Sequence, residues 1–347
     1  MSGLSYAEFL RRIPKVELHC HIEGAVRAST FAEGARKHGI TLPTEQVDEL
    51  YSYETIYEFL VIFGMVSQTL VDREDFARVA YESLEDGVTF GNLRYREMFF
   101  NPTLHTKRGV AMATVVEGLS DGIRAAEADL GVRCRLIADV YRQDSPAEAL
   151  QMVEEVLAVD GELVIGLGMD GAEAPDPPEQ FVDAYALAGR GGLRLTAHMS
   201  EDAPPANITT GLDVLGCERI DHGYHILSDP DVVARCLDEG LFFTCCPTST
   251  AVVYGWPDLT AHPINGMIDA GLGVMLNSDD PTMFRTDIGT EFVEFCGQNQ
   301  HPVELVRQLT ANAVDATWLD DSAKAVLRAE MLAEFDDLAG QIAAVPG

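Results

Sequence analysis

The chain has no C-x-x-C pair, and its seven cysteines, at 20, 134, 217, 236, 245, 246 and 296, are odd in number. Most sit inside apolar segments. That argues against a disulfide framework and fits reduced, buried thiols. Basic residues are scarce: 24 Lys and Arg face 56 Asp and Glu, for a formal charge of −32. A polyanion or an anionic bilayer would be repelled, so neither nucleic acid nor membrane is an expected partner. No run of about 18 apolar residues exists, which leaves no membrane span. No N-terminal stretch combines a charged start, an apolar core and a cleavage site, so no secretion signal is expected. These absences point to a cytoplasmic protein. No composition shift or linker divides the 347 residues, and 1–347 reads as one domain.

What is present is a repeating alternation. With 47% hydrophobic residues, the chain can bury a sizeable core. Eight short apolar or alternating runs read as strands: 16–19, 93–99, 134–140, 163–169, 193–198, 219–222, 241–245 and 273–279. Helical patterns cover 28–38, 54–70, 72–87, 110–130, 146–159, 180–189, 208–215, 231–239 and 264–271, then run to about 343. Ser29 or Thr30 is the expected cap of the first, and Gly39 its stop. Strands alternating with helices imply right-handed crossovers and a parallel sheet. Eight such units predict an α/β fold, a (β/α)8 TIM barrel, over a doubly wound open sheet. The extra helices fall between strands 1 and 2 and at the C-terminus.

Chemistry gathers where these strands end. Lys15-Val16-Glu17-Leu18-His19-Cys20-His21 places two imidazoles on one side of a strand end, because side chains alternate. Strand 5 ends in His198, strand 6 in His222, and strand 8 in Asp279 followed by Asp280. In a barrel the C-terminal strand ends meet at one face. Each residue alone has a bland reading, as a satisfied polar group or a helix cap. Their joint placement is improbable by chance. Three His and one Asp suit a cation such as zinc, with room for a water whose pKa it lowers. Glu201, three residues after His198, can stand beside the cation and shuttle a proton. Taken alone it reads as an acidic residue at a helix N-terminus. His222 is either a ligand or a group orienting the water. His38, His105, His262 and His301 read as surface or structural histidines. Gly166-Leu167-Gly168-Met169-Asp170-Gly171 matches G-x-G-x-x-G, but Pro-rich 174–178 follows where a dinucleotide site needs a helix. It reads as a tight strand-end loop.

His19-Cys20-His21, Thr196-Ala197-His198-Met199-Ser200-Glu201, Arg219-Ile220-Asp221-His222-Gly223 and Asn277-Ser278-Asp279-Asp280-Pro281 together resemble the adenosine/adenine deaminase family of metal-dependent aminohydrolases. The order matches too, over about residues 14–315. The resemblance implies one Zn(2+) per chain held by His19, His21, His198 and Asp279. It implies that Glu201 protonates purine N1 and that His222 assists the attacking water. It also implies Asp280 at N7, the backbone of Gly171 at N3, and Glu23 as the residue that meets or excludes a ribose. The implied reaction converts a 6-aminopurine to the 6-oxopurine plus ammonia; the partner is a small-molecule purine base or nucleoside. Glu23, where adenosine-specific members carry Asp, and Phe99–Thr106 resemble the adenine branch. Ser200 replaces the usual Gly, Met199 is bulkier than usual, and Phe284–Asp287 fits neither branch. A modified adenosine, an N6-substituted adenine or 6-aminodeoxyfutalosine are the alternative substrates.

Two other readings compete. A two-metal amidohydrolase needs a bridging group, often a carboxylated Lys at strand 4, yet no lysine lies between Lys107 and Lys324. The cysteine-ligated deaminase signature P-C-x-x-C is also absent. A non-catalytic deaminase-like binding protein would have no need to keep both Glu201 and the full ligand set.

Overall fold

The computed structural model describes residues 3–53, 55–159, 161–174 and 176–343. Glu54, the expected start of the second helix, and Pro175 of the Pro-rich loop lie outside them, as do the chain ends. The strands are β1 Lys15–Glu17, β2 Leu93–Phe100, β3 Arg133–Tyr141, β4 Val164–Asp170, β5 Arg194–Leu195, β6 His198–Met199, β7 Ile220–His222, β8 Phe242–Cys245 and β9 Gly273–Leu276. All pairings are parallel, in the orders β1-β2-β3-β4-β5 and β6-β7-β8-β9.

The two ladders join into a ring of eight staves. β5 and β6 are one stave interrupted at Thr196 and Ala197. Across the gap, Thr196 N–H donates to Leu167 O at 3.0 Å, and Asp221 N–H to Ala197 O at 3.0 Å. Between the last stave and the first, Leu18 N–H donates to Asn277 Oδ1 at 2.8 Å. Beyond it, Asp279 N–H donates to His19 O at 3.1 Å and His21 N–H to Asp279 O at 2.8 Å. The architecture is the expected (β/α)8 barrel, with helices Ala28–His38, Ile56–Gln68 and Arg73–Gly91 between β1 and β2. Val303–Asp315 and Asp321–Ala339 follow the last strand and pack beneath the barrel, against Val16, Tyr95 and Met275.

Local chemistry explains most element bounds. Gly39 ends the helix Ala28–His38 in a left-handed conformation (φ 69°), which glycine adopts without strain. Its N-cap is Arg27, not Ser29 or Thr30, and no side chain caps it. Those two residues lie inside the first turn, where Thr30 Oγ1 donates to Glu82 at 2.6 Å. Ser145 and Glu148 form a reciprocal capping box ahead of Pro146, and Thr55 caps Ile56–Gln68. Three helices had no counterpart in the sequence reading: Tyr6–Arg12, Pro102–Thr106 and Pro247–Val253. Each is seven residues or fewer, too short for a 3.6-residue period to register.

The barrel interior below the site is charged but paired. Glu17 meets Arg96 at 2.5 Å, and Glu97 meets Arg219 at 2.7 Å. Glu17 also accepts from Ser278 N–H at 2.9 Å, and so fixes the residue before Asp279. Buried ion pairs add little net stability, but breaking one leaves an uncompensated charge. Here they form a rigid floor beneath the strand ends.

Candidate active site

The C-terminal face of the barrel holds three non-glycine residues in the left-handed region: Ser200 (φ 58°), His222 (φ 68°) and Asp279 (φ 65°). Ser200 directly follows β6, His222 ends β7, and Asp279 lies three residues beyond β9. Such backbone costs about 1–3 kcal/mol per residue and persists where the surroundings enforce it. The three turns aim neighbouring side chains at one point.

His19, His21, His198 and Asp279 each offer a ligand atom there, all within 4.8 Å of one another and all buried. Asp279 Oδ1 lies 3.1 Å from His19 Nε2 and 3.4 Å from His21 Nε2. His19 Nε2 has no hydrogen-bond partner although it is buried. Its orientation is fixed from behind. Thr244 donates its hydroxyl proton to Asp221 Oδ1 at 2.7 Å, so its oxygen accepts from His19 Nδ1–H at 2.9 Å. The His19 Nε2 lone pair then faces the cluster, the arrangement expected behind a metal-ligating imidazole. Thr196 Oγ1 donates to the other Asp221 oxygen at 2.8 Å.

Electrostatics agree with a site built for positive charge. Burial disfavours the imidazolium of His19, but Asp279 and Asp221 outweigh it and lift its pKa to about 9. Burial likewise opposes the charge on Asp279, yet His19 and then His222 and His21 hold its carboxyl far below the usual range. The surrounding carboxylates thus favour positive charge where the ligand atoms converge. Three imidazoles and one carboxylate are a donor set that zinc accepts.

Glu201 and His222 flank this cluster, with Glu201 Oε1 at 3.5 Å from His222 Nε2. Burial, then the charges of Asp279 and Glu173, push the Glu201 carboxyl well above its ordinary value. That shift favours its protonated, proton-donating form. His222 is the reverse case: burial, then His19, lower its pKa to about 3. Tyr224 Oη accepts from Cys246 N–H at 2.8 Å and lies 3.0 Å from His222 Nδ1. With Nδ1–H donating to that oxygen, Nε2 is left as a free base. One proton donor and one proton acceptor thus share a site.

Glu173 went unnoticed in the sequence. It is buried, and its two oxygens accept from Ser200 N–H at 2.8 Å and Glu201 N–H at 2.9 Å. Asn207 Nδ2 adds a third bond at 2.7 Å. This clamp holds the left-handed turn at Ser200 and therefore the bearing of Glu201. Arg142, also buried, donates to the His198 carbonyl.

A cavity of about 500 Å³, its open mouth included, lies over these groups. His21, His198, Glu201, His222, Asp279, Asp280, Asp170 and Gly171 line its floor. Ile56, Phe59, Leu60 and Phe63, from one helix, and Phe284 form an apolar wall. Phe59 and Phe284 stack at 4.9 Å between ring centres. Among the described residues, no Lys or Arg lines the cavity. Gly171 holds a left-handed backbone conformation (φ 87°) that residues with a side chain rarely adopt. Asp280 has an unpartnered buried oxygen. Burial, then Asp279, push its carboxyl well above the usual range, which favours its protonated form.

Glu23 is not in the lining. It lies behind the cavity, where Oε1 accepts from Asn101 N–H at 3.0 Å and meets His105 Nε2 at 2.9 Å. Arg108 donates to His105 Nδ1 at 3.1 Å, so the imidazole proton sits on Nε2 and points at Glu23. The other Glu23 oxygen is buried without a partner. His105 is thus fully buried beside the site, while His262 keeps a structural role, capping Pro263–Asp269.

Comparison with known proteins matches this geometry to one lineage. The adenosine deaminase family model matches residues 14–334. An adenine deaminase of Rhodospirillum rubrum is 35% identical over 328 residues, covering 94% of this chain and 98% of its own. The crystal structure of an adenine deaminase from Arthrobacter aurescens superposes with a TM-score of 0.89 at 34% identity, covering 94% of this chain and 99% of its own. An amidohydrolase from Burkholderia ambifaria, solved with bound Zn, gives a TM-score of 0.91 at 34% identity, over 98% of this chain and 97% of its own. The chain belongs to the adenosine deaminase family.

Proposed function

We propose that this protein is an adenine deaminase, hydrolysing the free base to hypoxanthine and ammonia. The observation that carries this reading is the pairing, within one cavity, of the buried Glu201 carboxyl with a His/Asp cluster suited to a cation. The apolar wall and the lack of any cationic lining favour a small neutral base over a nucleotide or a sugar-bearing substrate. The relatives named adenine deaminase cover nearly the whole chain at similar identity.

In this reading His19, His21, His198 and Asp279 hold one zinc ion per chain. When bound, the ion supplies Lewis acidity that makes water nucleophilic near neutral pH. Glu201 donates its proton to purine N1, which draws electron density from C6 and makes it an electrophile, so that water can add there. His222 Nε2 takes a proton from the attacking water and returns it to the departing amine. The protonated Asp280 donates to the N7 lone pair, and the Gly171 backbone N–H meets N3. Glu23, pinned by Asn101 and His105, shapes the side of the cavity a ribose would need. We further read 1–347 as one barrel domain. A cytoplasmic location fits too: all seven cysteines are free and buried, and no helix among the described residues is long and apolar enough to cross a membrane.

The test is an ammonia-release panel on zinc-loaded protein. It offers adenine, adenosine, N6-methyladenine, 6-aminodeoxyfutalosine and cytidine. Turnover of adenine with adenosine at least about 100-fold poorer supports the reading. Turnover of a sugar-bearing substrate in preference to adenine moves it to the modified-nucleoside alternative. Silence on every 6-aminopurine leaves the non-catalytic alternative.

A further inference from the structure

Asp170 ends β4, is 6% exposed and lines the cavity floor, yet none of the roles above uses it. One of its oxygens is anchored: Asn101 Nδ2 donates to Oδ1 at 2.9 Å. Asn101 is itself fixed, its N–H bonded to Glu23 and its side chain wholly buried. The backbone carbonyl of Asp170 is held by Arg142 N–H at 3.0 Å. Oδ2 accepts no hydrogen bond from the described residues; its near polar neighbour is His21 Nδ1, at 3.6 Å. That separation is too long for a hydrogen bond. At the cavity floor, a carboxyl oxygen without a protein donor has its acceptor capacity free for a ligand.

Position suggests what arrives. Asp170 precedes Gly171 in the chain, and Gly171 is the assigned partner of N3. Asp280, the assigned partner of N7, lines the same cavity and is near enough for Asp170 to perturb its charge. In a purine, N9 lies between these two edges: one carbon separates it from N3 and one from N7. A free base carries a hydrogen on N9, whereas a nucleoside carries its sugar there.

We propose that Asp170 is the specificity residue of this site, its Oδ2 accepting the N9–H of a free purine base. The inference rests on the adenine reading above and deepens it. A nucleoside would leave Oδ2 without a donor and set C1′ against it. Sites built to bond a substrate N–H reject analogues lacking it by factors of about 10⁴. Asn101 and Glu23 then form a strut behind the reader. Glu23 thereby bears on sugar discrimination without touching the sugar.

The experiment compares adenine with 9-methyladenine for wild type, Asp170→Asn and Asp170→Ser, with zinc content measured for each. Asn keeps an acceptor for Asn101 but presents an NH₂ to the cavity; Ser removes the carboxyl and opens space. The adenine to 9-methyladenine ratio of kcat/KM is expected to fall by about 100-fold or more in both variants, with zinc retained. An equal loss on both substrates, or an unchanged ratio, overturns the proposal. Loss of zinc with the ratio preserved overturns it too, and assigns Asp170 to support of His21. Wild-type protein that leaves adenine untouched defeats the adenine reading itself, a separate failure read before any variant.

Discussion

Replacing Gly24 by alanine puts a methyl group where Asp280 stands. The new Cβ would lie 1.8 Å from Asp280 Oδ1 and 2.4 Å from both its Cβ and Cγ. Ordinary contact begins near 3.4 Å, so one side has to retreat by about 1.6 Å. Neither side is free to do so. The Gly24 carbonyl accepts from Thr282 N–H and Met283 N–H, both at 3.2 Å, and Asp280 O accepts from Phe284 N–H at 2.8 Å. The strain therefore passes to Asp279, whose Oδ1 sits 3.1 Å from His19. Overpacking of this kind costs about 1–3 kcal/mol of stability. A displacement of about 1 Å at reacting groups costs about 100-fold in rate. The assay is steady-state adenine deamination, with zinc affinity measured by chelator competition. Gly297→Ala is the control, because a Cβ there would meet only Leu10 Cδ1, at an ordinary contact distance of 3.9 Å. It should leave kcat/KM unchanged. A Gly24→Ala protein within about threefold of wild type refutes the claim that Asp280 and Asp279 are held by close packing.

Three further outcomes follow from the same geometry. Glu201→Gln should lower kcat by about 10²–10⁴ with zinc retained, and full turnover in that variant contradicts Glu201 as the proton donor. Glu173→Gln removes one of two carboxylate acceptors at the Ser200 turn, so one buried N–H loses its partner, at about 1–3 kcal/mol. Its kcat should fall more than its KM rises; an effect on thermal stability alone would reduce Glu173 to a scaffold residue. Burial lifts the Glu291 carboxyl to about 8 from an ordinary value of 4.5. The native state then keeps a proton that the unfolded chain has lost, so this group's contribution weakens as pH rises between those values. Glu291→Gln should gain on wild type at pH 8, on the order of a few kcal/mol, and not at pH 4. Equal melting shifts at both pH values would exclude that burial effect.

The ligand cluster was legible because barrel topology does the converging. His19, His198 and Asp279 lie far apart in sequence, and each ends or follows an apolar run whose direction is fixed by right-handed crossovers. The strand bounds were less legible. The first ladder stops at Glu17, before His19, because Leu18 N–H turns to the side chain of Asn277 rather than to a backbone carbonyl. The fifth stave reads as one run, 193–198, but breaks where Thr196 Oγ1 bonds across to Arg219 O at 3.0 Å and Asp221. Glu173 and Asp170 were hidden for a different reason. Their partners, Ser200 and Asn101, lie in other loops, and no period or spacing links a loop acid to a distant N–H or amide. His105 read as a surface or structural histidine for the same cause, since only the fold brings it to Glu23. Glu23 itself was visible through the resemblance to the adenine branch, but not the strut that turns it away from the cavity.

The central claim is that this cavity, with a cation at His19, His21, His198 and Asp279, removes the amine of adenine. The most direct measurement is the conversion of adenine to hypoxanthine, followed alongside ammonia release, by protein stripped with a chelator and then reloaded with zinc to one equivalent. The account predicts stoichiometric hypoxanthine and ammonia from the reloaded protein, at a kcat/KM on the order of 10⁴ M⁻¹s⁻¹ or above, and none from the stripped protein. Zinc-loaded protein that leaves adenine unchanged, or stripped protein that converts it equally well, would contradict it.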